Sequence, residues 1–356
     1  MRIMASDYMH WAKTRAPVRY NLGSSEVPHF RLDGLGIDVA DLELDGASRH
    51  RDPALRAAIA CKCGVTPDMV VMADGTSMAN MLAFSTLLSP GDEVAAEAPA
   101  YEPMIAAARH VGAIIRPFAR RAPDFAIDLA SLAAAITPRT RLILLSNLHN
   151  PTGNQTGEDV LREIGELAAR ADAHVLVDEV YLDAGLPPPR TAALLGERFV
   201  ATGSLTKCYG LSGLRCGWIL ATPELAERMW RVNELFGVAQ AHAAECLSRI
   251  ALERLDEVSA GVPELLAGNR RRVNEFLAAR GDLDCAPVTQ GITCFPRLVR
   301  GDVDALNDRL RADHDAAIVP GRFFGAPDRF RLGFGQPAEI VEGGLERLGA
   351  ALDALR

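Results

Sequence analysis

The chain has 356 residues, 49% hydrophobic and 24% charged, an ordinary globular composition with ample apolar material for a packed core. Its formal charge of −8 argues against nucleic acid or an anionic membrane surface as the main partner. No apolar run approaches the roughly 20 residues of a spanning helix, and Met1 to Lys13 lacks a signal-peptide core, so a cytoplasmic location is expected. The seven cysteines are scattered, which fits free thiols in a reducing compartment. Cys61-Lys62-Cys63 has no partner pair and no histidine pair has ligand spacing, so no metal site is expected. Only three of the 38 basic residues are lysines: Lys13, Lys62 and Lys207.

In chain order, Met4, Tyr8 and Trp11 share one face of a short helix over Ala5–Thr14, which reads as packing. An alternating α/β series follows. Strands are expected at Val70–Ala73, Glu93–Ala96, Ala113–Phe118, Arg141–Ser146, His174–Tyr181, Phe199–Ser204 and Leu214–Ala221, with helices at Met78–Leu88 and Glu158–Ala171. Near-continuous apolar runs such as Arg141–Ser146 suit parallel strands covered on both faces, and helical crossovers imply a mainly parallel sheet. After about Thr222 come long helices near Ala239–Leu255 and Val262–Arg280. Strand-like pieces at Ile292–Val299, Ala316–Pro320 and Arg329–Phe334 and a final helix at Pro337–Leu355 complete the chain. The expected division is a large α/β domain over 41–235 and a smaller α+β domain from 1–40 plus 236–356.

Four clusters stand at the C-terminal ends of expected strands, where open α/β sheets bind ligands. Gly75-Thr76-Ser77 opens a helix and suits an anion, although a simple N-cap is the weightier reading in isolation. Asn147 to Gly153 is a turn-rich segment whose plain reading is punctuation. Asp178 ends a buried strand, where a carboxylate needs a cation or several donors; a structural ion pair is an even alternative. The segment from Gly203 to Arg215 carries Lys207 three residues after Ser204 and eight before Arg215. In an arginine-rich chain, a lysine kept there suggests an amine that must lose its proton, whereas Lys13 and Lys62 read as ordinary exposed lysines.

The motifs Asn147-x-x-Asn150-Pro-Thr-Gly153, Asp178-x-x-Tyr181 and Ser204-x-Thr206-Lys207, with Arg215 eight residues on, together resemble the class I/II aminotransferase family of fold-type I pyridoxal-phosphate enzymes. Pro99-Ala-Tyr101, Val319-Pro-Gly321 and Arg331-Leu-Gly-Phe334 also match. The resemblance implies a seven-stranded-type, mainly parallel sheet between helices, and pyridoxal 5′-phosphate held by Lys207 as a Schiff base. Lys207 would then move the Cα proton. It further implies Asp178 on the pyridine nitrogen, Tyr181 and Asn150 on the phenolic oxygen, and Tyr101 on the ring face. Gly75, Thr76, Ser77, Ser204 and Arg215 would hold the phosphate, while Arg331, with Asn150 and the backbone near Gly23, would take the substrate α-carboxylate.

Family members usually carry a tyrosine that reaches the neighbouring subunit's phosphate. Here that stretch reads Asp45-Gly-Ala-Ser48-Arg49-His50-Arg51, and Ser48, Arg49 or His50 is its expected substitute. Transamination between an L-amino acid and a 2-oxo acid in a homodimer is the leading expectation. A lyase, decarboxylase or cyclase sharing the cofactor is the alternative, because the motifs are common to all. Arg49, Arg51 and Arg322 are weak candidates for an acidic substrate side chain. A ligand-sensing regulator would need a DNA-binding segment ahead of the match, which begins near residue 20, and a nicotinamide dehydrogenase would need a third glycine beside Gly34-Leu-Gly36.

Overall fold

The computed structural model describes residues 5–354 other than 43, 45, 46, 48 and 49, so Met4, Ser48 and Arg49 lie outside the described residues. Helix α1 (Asp7–Thr14) is capped by Ser6, whose hydroxyl accepts from the Met9 N–H. The main sheet is built from β1 (Val70–Asp74), β2 (Glu93–Ala98), β3 (Ile114–Arg121), β4 (Ala126–Ile127), β5 (Thr140–Ser146), β6 (His174–Asp178), β7 (Phe199–Ser204) and β8 (Cys216–Leu220). Their spatial order is β1-β8-β7-β6-β5-β2-β3-β4. The seven expected strands are all present. The eighth, β4, is a two-residue piece turned back on β3.

The pairs β3–β2, β2–β5, β5–β6 and β6–β7 are parallel, and β8 runs antiparallel between β7 and β1. Register therefore sets Ser146 beside Asp178, Asp178 beside Thr202, Ser204 beside Gly217 and Asp74 beside Cys216. One edge of the sheet thus collects the segments that carry the motifs. Helix α2 (Gly75–Leu87) leaves that edge directly from β1, burying Ala79, Leu82, Ala83 and Phe84. Helix α3 (Glu158–Arg170) buries Leu161, Ile164 and Ala168, one stripe at helical spacing, and carries acids in its first turn and Arg170 in its last, as the helix dipole favours.

The C-terminal part has its own core around Val273, Leu306, Ile318, Phe330, Phe334 and Leu348. The run expected as one strand over Ile292–Val299 is two short pieces, β9 (Thr293–Cys294) and Arg297–Leu298, interrupted at Pro296, which has no N–H for a ladder. Ala316–Pro320 likewise divides. Ala316–Ala317 pairs in parallel with Tyr20–Asn21, and β10 (Val319–Pro320) pairs with β11 (Phe330–Gly333). The first pairing ties the N-terminal segment to the C-terminal core. The helix expected over Ala239–Leu255 is His242–Glu253, followed by a separate turn of helix at Leu255–Ser259. No helix among the described residues is long and apolar enough to cross a membrane.

Candidate active site

A cavity of about 430 Å³ opens at the motif-bearing edge of the sheet, in the size range of small-molecule sites. Thr76, Ser77, Tyr101, Asn150, Asp178, Tyr181, Ser204, Lys207 and Arg215 all line it. Gly75 lies under Arg215. Gly23 and Arg331 do not reach the cavity wall and sit behind Asn150.

At one end, Thr76 Oγ1 donates to Ser204 Oγ at 2.9 Å, joining α2 to β7. Asp74 makes no side-chain cap on α2, so the amides of the first turn are open to an anion. Arg215 donates to the carbonyls of Asp74 (3.0 Å) and Ser212 (3.3 Å) and has no carboxylate partner among the described residues. A Cβ on Gly75 would come within 2.5 Å of Arg215 Nη2, so glycine is what lets the guanidinium lie over the helix start. Hydroxyls, free amides and an unneutralised arginine form a phosphate-sized set of donors.

At the centre, Asp178 is fully enclosed at the end of β6. Asn80 Nδ2 donates to Oδ2 at 2.9 Å and the Val180 N–H donates to Oδ1 at 3.1 Å. Burial pushes this carboxyl up, while Asn80, Val180 and the charge of Lys207 act in the opposite direction. Asn80 is itself oriented by Thr202, whose hydroxyl donates to its Oδ1 at 2.7 Å. Tyr181 Oη donates to Ser25 Oγ at 2.9 Å, and burial pushes its phenol up.

Lys207 Nζ stands 3.5 Å from Glu26 Oε2, and its own carbonyl accepts from the Val27 N–H at 3.0 Å. Three residues of one loop thus meet the site in turn. Gly23 O accepts from Arg331, Ser25 from Tyr181, and Glu26 from Lys207. The loop lies directly on Gly333 and Gly335, where a Cβ would strike the carbonyls of Ser24 and Glu26.

The segment before Asn150 is fixed by a buried network. Arg120 Nε donates to Glu97 Oε2 at 2.6 Å, while Glu97 Oε1 accepts from both N and Oγ of Ser146 at 2.7 Å. Ser146 Oγ in turn accepts from the Asn150 N–H. His149 is enclosed, and burial pushes its ring well down; the neutral ring donates from Nε2 to the Pro99 carbonyl (2.9 Å), leaving Nδ1 to accept from Thr152 (2.8 Å).

Asn150 was expected at both the phenolic oxygen and the substrate carboxylate; its Oδ1 accepts from Arg331 Nη1 at 3.1 Å. Other residues depart from expectation. Tyr8 was expected to pack only, yet its hydroxyl accepts from Arg331 Nη2 at 2.8 Å. Lys62 is not an ordinary exposed lysine: it pairs with Asp183 at 3.0 Å, its side chain 13% exposed, because the last turn of helix Pro53–Cys63 packs over Tyr209 and Trp218. His50 faces Glu234 and Trp230, Arg51 pairs with Glu227 and Arg322 pairs with Asp304. Glu26, Ser25 and Asn80 had no expected role. Asn80 lies five residues after Gly75 along α2, and that spacing was the one available signal.

The model of the family described as aminotransferase class I and II matches residues 45–348. The chain is 36% identical over 309 residues to a capreomycidine synthase of Streptomyces vinaceus, covering 85% of this chain and 79% of that protein. It is 31% identical over 283 residues to a histidinol-phosphate aminotransferase of Gloeobacter violaceus, covering 76% of each. Among solved structures, a crystal structure of the pyridoxal-phosphate-dependent cyclase OrfR superposes with a TM-score of 0.88 at 25% identity, covering 100% of this chain and 98% of that one.

Proposed function

Because the chain belongs to the class I and II aminotransferase family and is a pyridoxal 5′-phosphate-dependent enzyme, we propose that it acts at Cα of an L-amino acid and closes a ring within it. The observation that carries ring closure over transamination is the 36% identity to a capreomycidine synthase across 85% of the chain. The absence of the usual inter-subunit tyrosine supports the same departure from the common pattern.

The cofactor, when bound, supplies an electron sink conjugated to Cα. Arg215, Thr76, Ser77, Ser204 and the first amides of α2 hold its phosphate. Asp178, kept in place by Asn80 and Val180, holds a proton at the pyridine nitrogen. Lys207 takes the proton from Cα and returns one to it, with Glu26 beside its amine. Arg331 orients the α-carboxylate with Asn150. In ring closure, a group on the substrate side chain departs with its electron pair and an internal nucleophile of the same substrate replaces it, so the amino group stays on the product. Transamination is the second reading, supported by the match to a histidinol-phosphate aminotransferase. A homodimer in the cytoplasm belongs to this proposal. The seven free cysteines and the exposed Leu235, Phe236 and Val238 support it.

Product analysis separates the two reactions. The loaded enzyme is given candidate amino acids, and ring-closed amino acid, 2-oxo acid and pyridoxamine phosphate are followed by mass spectrometry. A ring-closed product without pyridoxamine phosphate is expected; stoichiometric 2-oxo acid with pyridoxamine phosphate rejects ring closure in favour of transamination. Lys207→Ala is expected to abolish both the visible absorbance of the bound cofactor and turnover, and retained turnover removes Lys207 from its role.

A further inference from the structure

Arg331 is fully enclosed, and the bonds it already makes constrain how a substrate can meet it. A guanidinium has five N–H donors and presents two forks to a carboxylate, the Nη1/Nη2 edge and the Nε/Nη2 edge. Here Nη1 donates to Asn150 Oδ1, and Nη2 donates both to Tyr8 Oη at 2.8 Å and to the Gly23 carbonyl at 3.1 Å. Nε is buried with no partner among the described residues. Both forks include Nη2, and both of its hydrogens are engaged. A bidentate carboxylate therefore has to displace Tyr8 or Gly23.

Gly23 is main chain. It is held by its own N–H to Asn21 Oδ1 and by the neighbouring Leu22 carbonyl, which accepts from the Gly333 N–H at 2.6 Å. Tyr8 is a side chain on an eight-residue helix near the start of the chain, and its ring rests on other rings: Trp11 at 6.3 Å, Tyr101 at 5.6 Å and Phe323 at 5.5 Å. Its hydroxyl is a neutral acceptor. A carboxylate is a charged one, and two parallel bonds between ions are stronger than the single bond from the guanidinium to a neutral hydroxyl that they replace.

We infer that the Tyr8 hydroxyl is a placeholder on Arg331 which the substrate carboxylate displaces, so that α1 moves when, and only when, a carboxylate-bearing ligand binds. This rests on Arg331 being the carboxylate site of the reaction proposed above. Tyr8 is then a specificity-determining residue: an amine without a carboxylate cannot exchange for it and leaves the arm in place.

Trp11 stacks on Tyr8 and sits apart from Trp218 and Trp230, which lie in the core of the main sheet, so its emission reports the exchange. The cofactor-loaded protein is titrated with propionate and, separately, with propylamine, and the signal is assigned by its loss in Trp11→Phe. Propionate should change Trp11 emission saturably and propylamine should not. Tyr8→Phe, which has no hydroxyl to displace, should bind propionate about three- to tenfold more tightly by cofactor absorbance. Weaker binding in Tyr8→Phe, or binding seen by absorbance with unchanged Trp11 emission, overturns the placeholder while leaving Arg331 as the carboxylate site. Equal binding by Arg331→Ala and the unmodified enzyme, or no binding by either, overturns the carboxylate site itself and the placeholder with it.

Discussion

Asn80 and Asp178, 98 residues apart, meet at 2.9 Å in the buried floor of the cavity, and among the described residues the amide of Asn80 is the one side-chain donor to that carboxylate. Burial alone pushes Asp178 toward its neutral form, whereas holding a protonated pyridine nitrogen requires the charged form. Asn80 thus sustains the charge on which the electron-sink role proposed for Asp178 depends. Replacing it by Ala is expected to weaken cofactor binding by about tenfold or more. Because the charged form loses a donor, the acid limb of the rate profile should move to higher pH. Spectral titration with cofactor and a rate profile against pH read the two effects, and an unmoved acid limb removes Asn80 from this role.

Gly75→Ala should damage the phosphate end without touching Lys207. The position has φ +77°, and a Cβ would press within 2.5 Å of Arg215 Nη2. Left-handed backbone costs a non-glycine residue roughly 1–2 kcal/mol, and the guanidinium must also shift. Affinity for cofactor is expected to fall about tenfold or more, measured by equilibrium dialysis, with folding retained by circular dichroism.

The Arg120–Glu97 pair supports both stability and the Asn150 segment. Both side chains are buried, and burial pushes the Glu97 carboxyl up despite its arginine partner. Arg120→Met leaves that carboxyl without its cation and should destabilise the protein by about 3–5 kcal/mol in urea unfolding. Pairing it with Glu97→Gln should recover part of the loss. Equal losses in the single and double variants reject an electrostatic origin.

Glu93 predicts the acid stability of the fold. Its carboxyl accepts from Arg116 at 2.9 Å and Thr137 at 2.7 Å and also pairs with Arg139, and these partners hold it at about 2, below its ordinary 4.5. A lowered carboxyl stabilises the folded state fully above the ordinary value, and the contribution disappears as pH falls from there toward about 2. Glu93→Gln should therefore flatten the dependence of unfolding free energy on pH in that window and leave its shape near neutrality unchanged. Urea melts across the range read this directly.

What the sequence determined by itself is local in physical origin. Seven strands were legible because buried parallel strands need unbroken apolar runs, and β5 and β6 supply them. Lys207, Asp178 and Asn150 stood out because a lysine, a carboxylate and a Pro-Gly turn at strand ends carry chemical meaning within a few residues. The breaks inside the short C-terminal strands were not legible, since Pro296 interrupts a ladder whose partner is supplied by the fold. Only the tertiary structure decided the second partners of the site. Glu26 meets Lys207 across 181 residues and Tyr8 meets Arg331 across 323. A single glutamate in a loop has no periodicity to betray it, and Tyr8 has the spacing of a packing residue because it also packs. The Glu26 contact arises because Gly333 and Gly335 let one loop lie close against them, whereas α1 carries Tyr8 to Arg331, its ring packed on Tyr101 and Phe323.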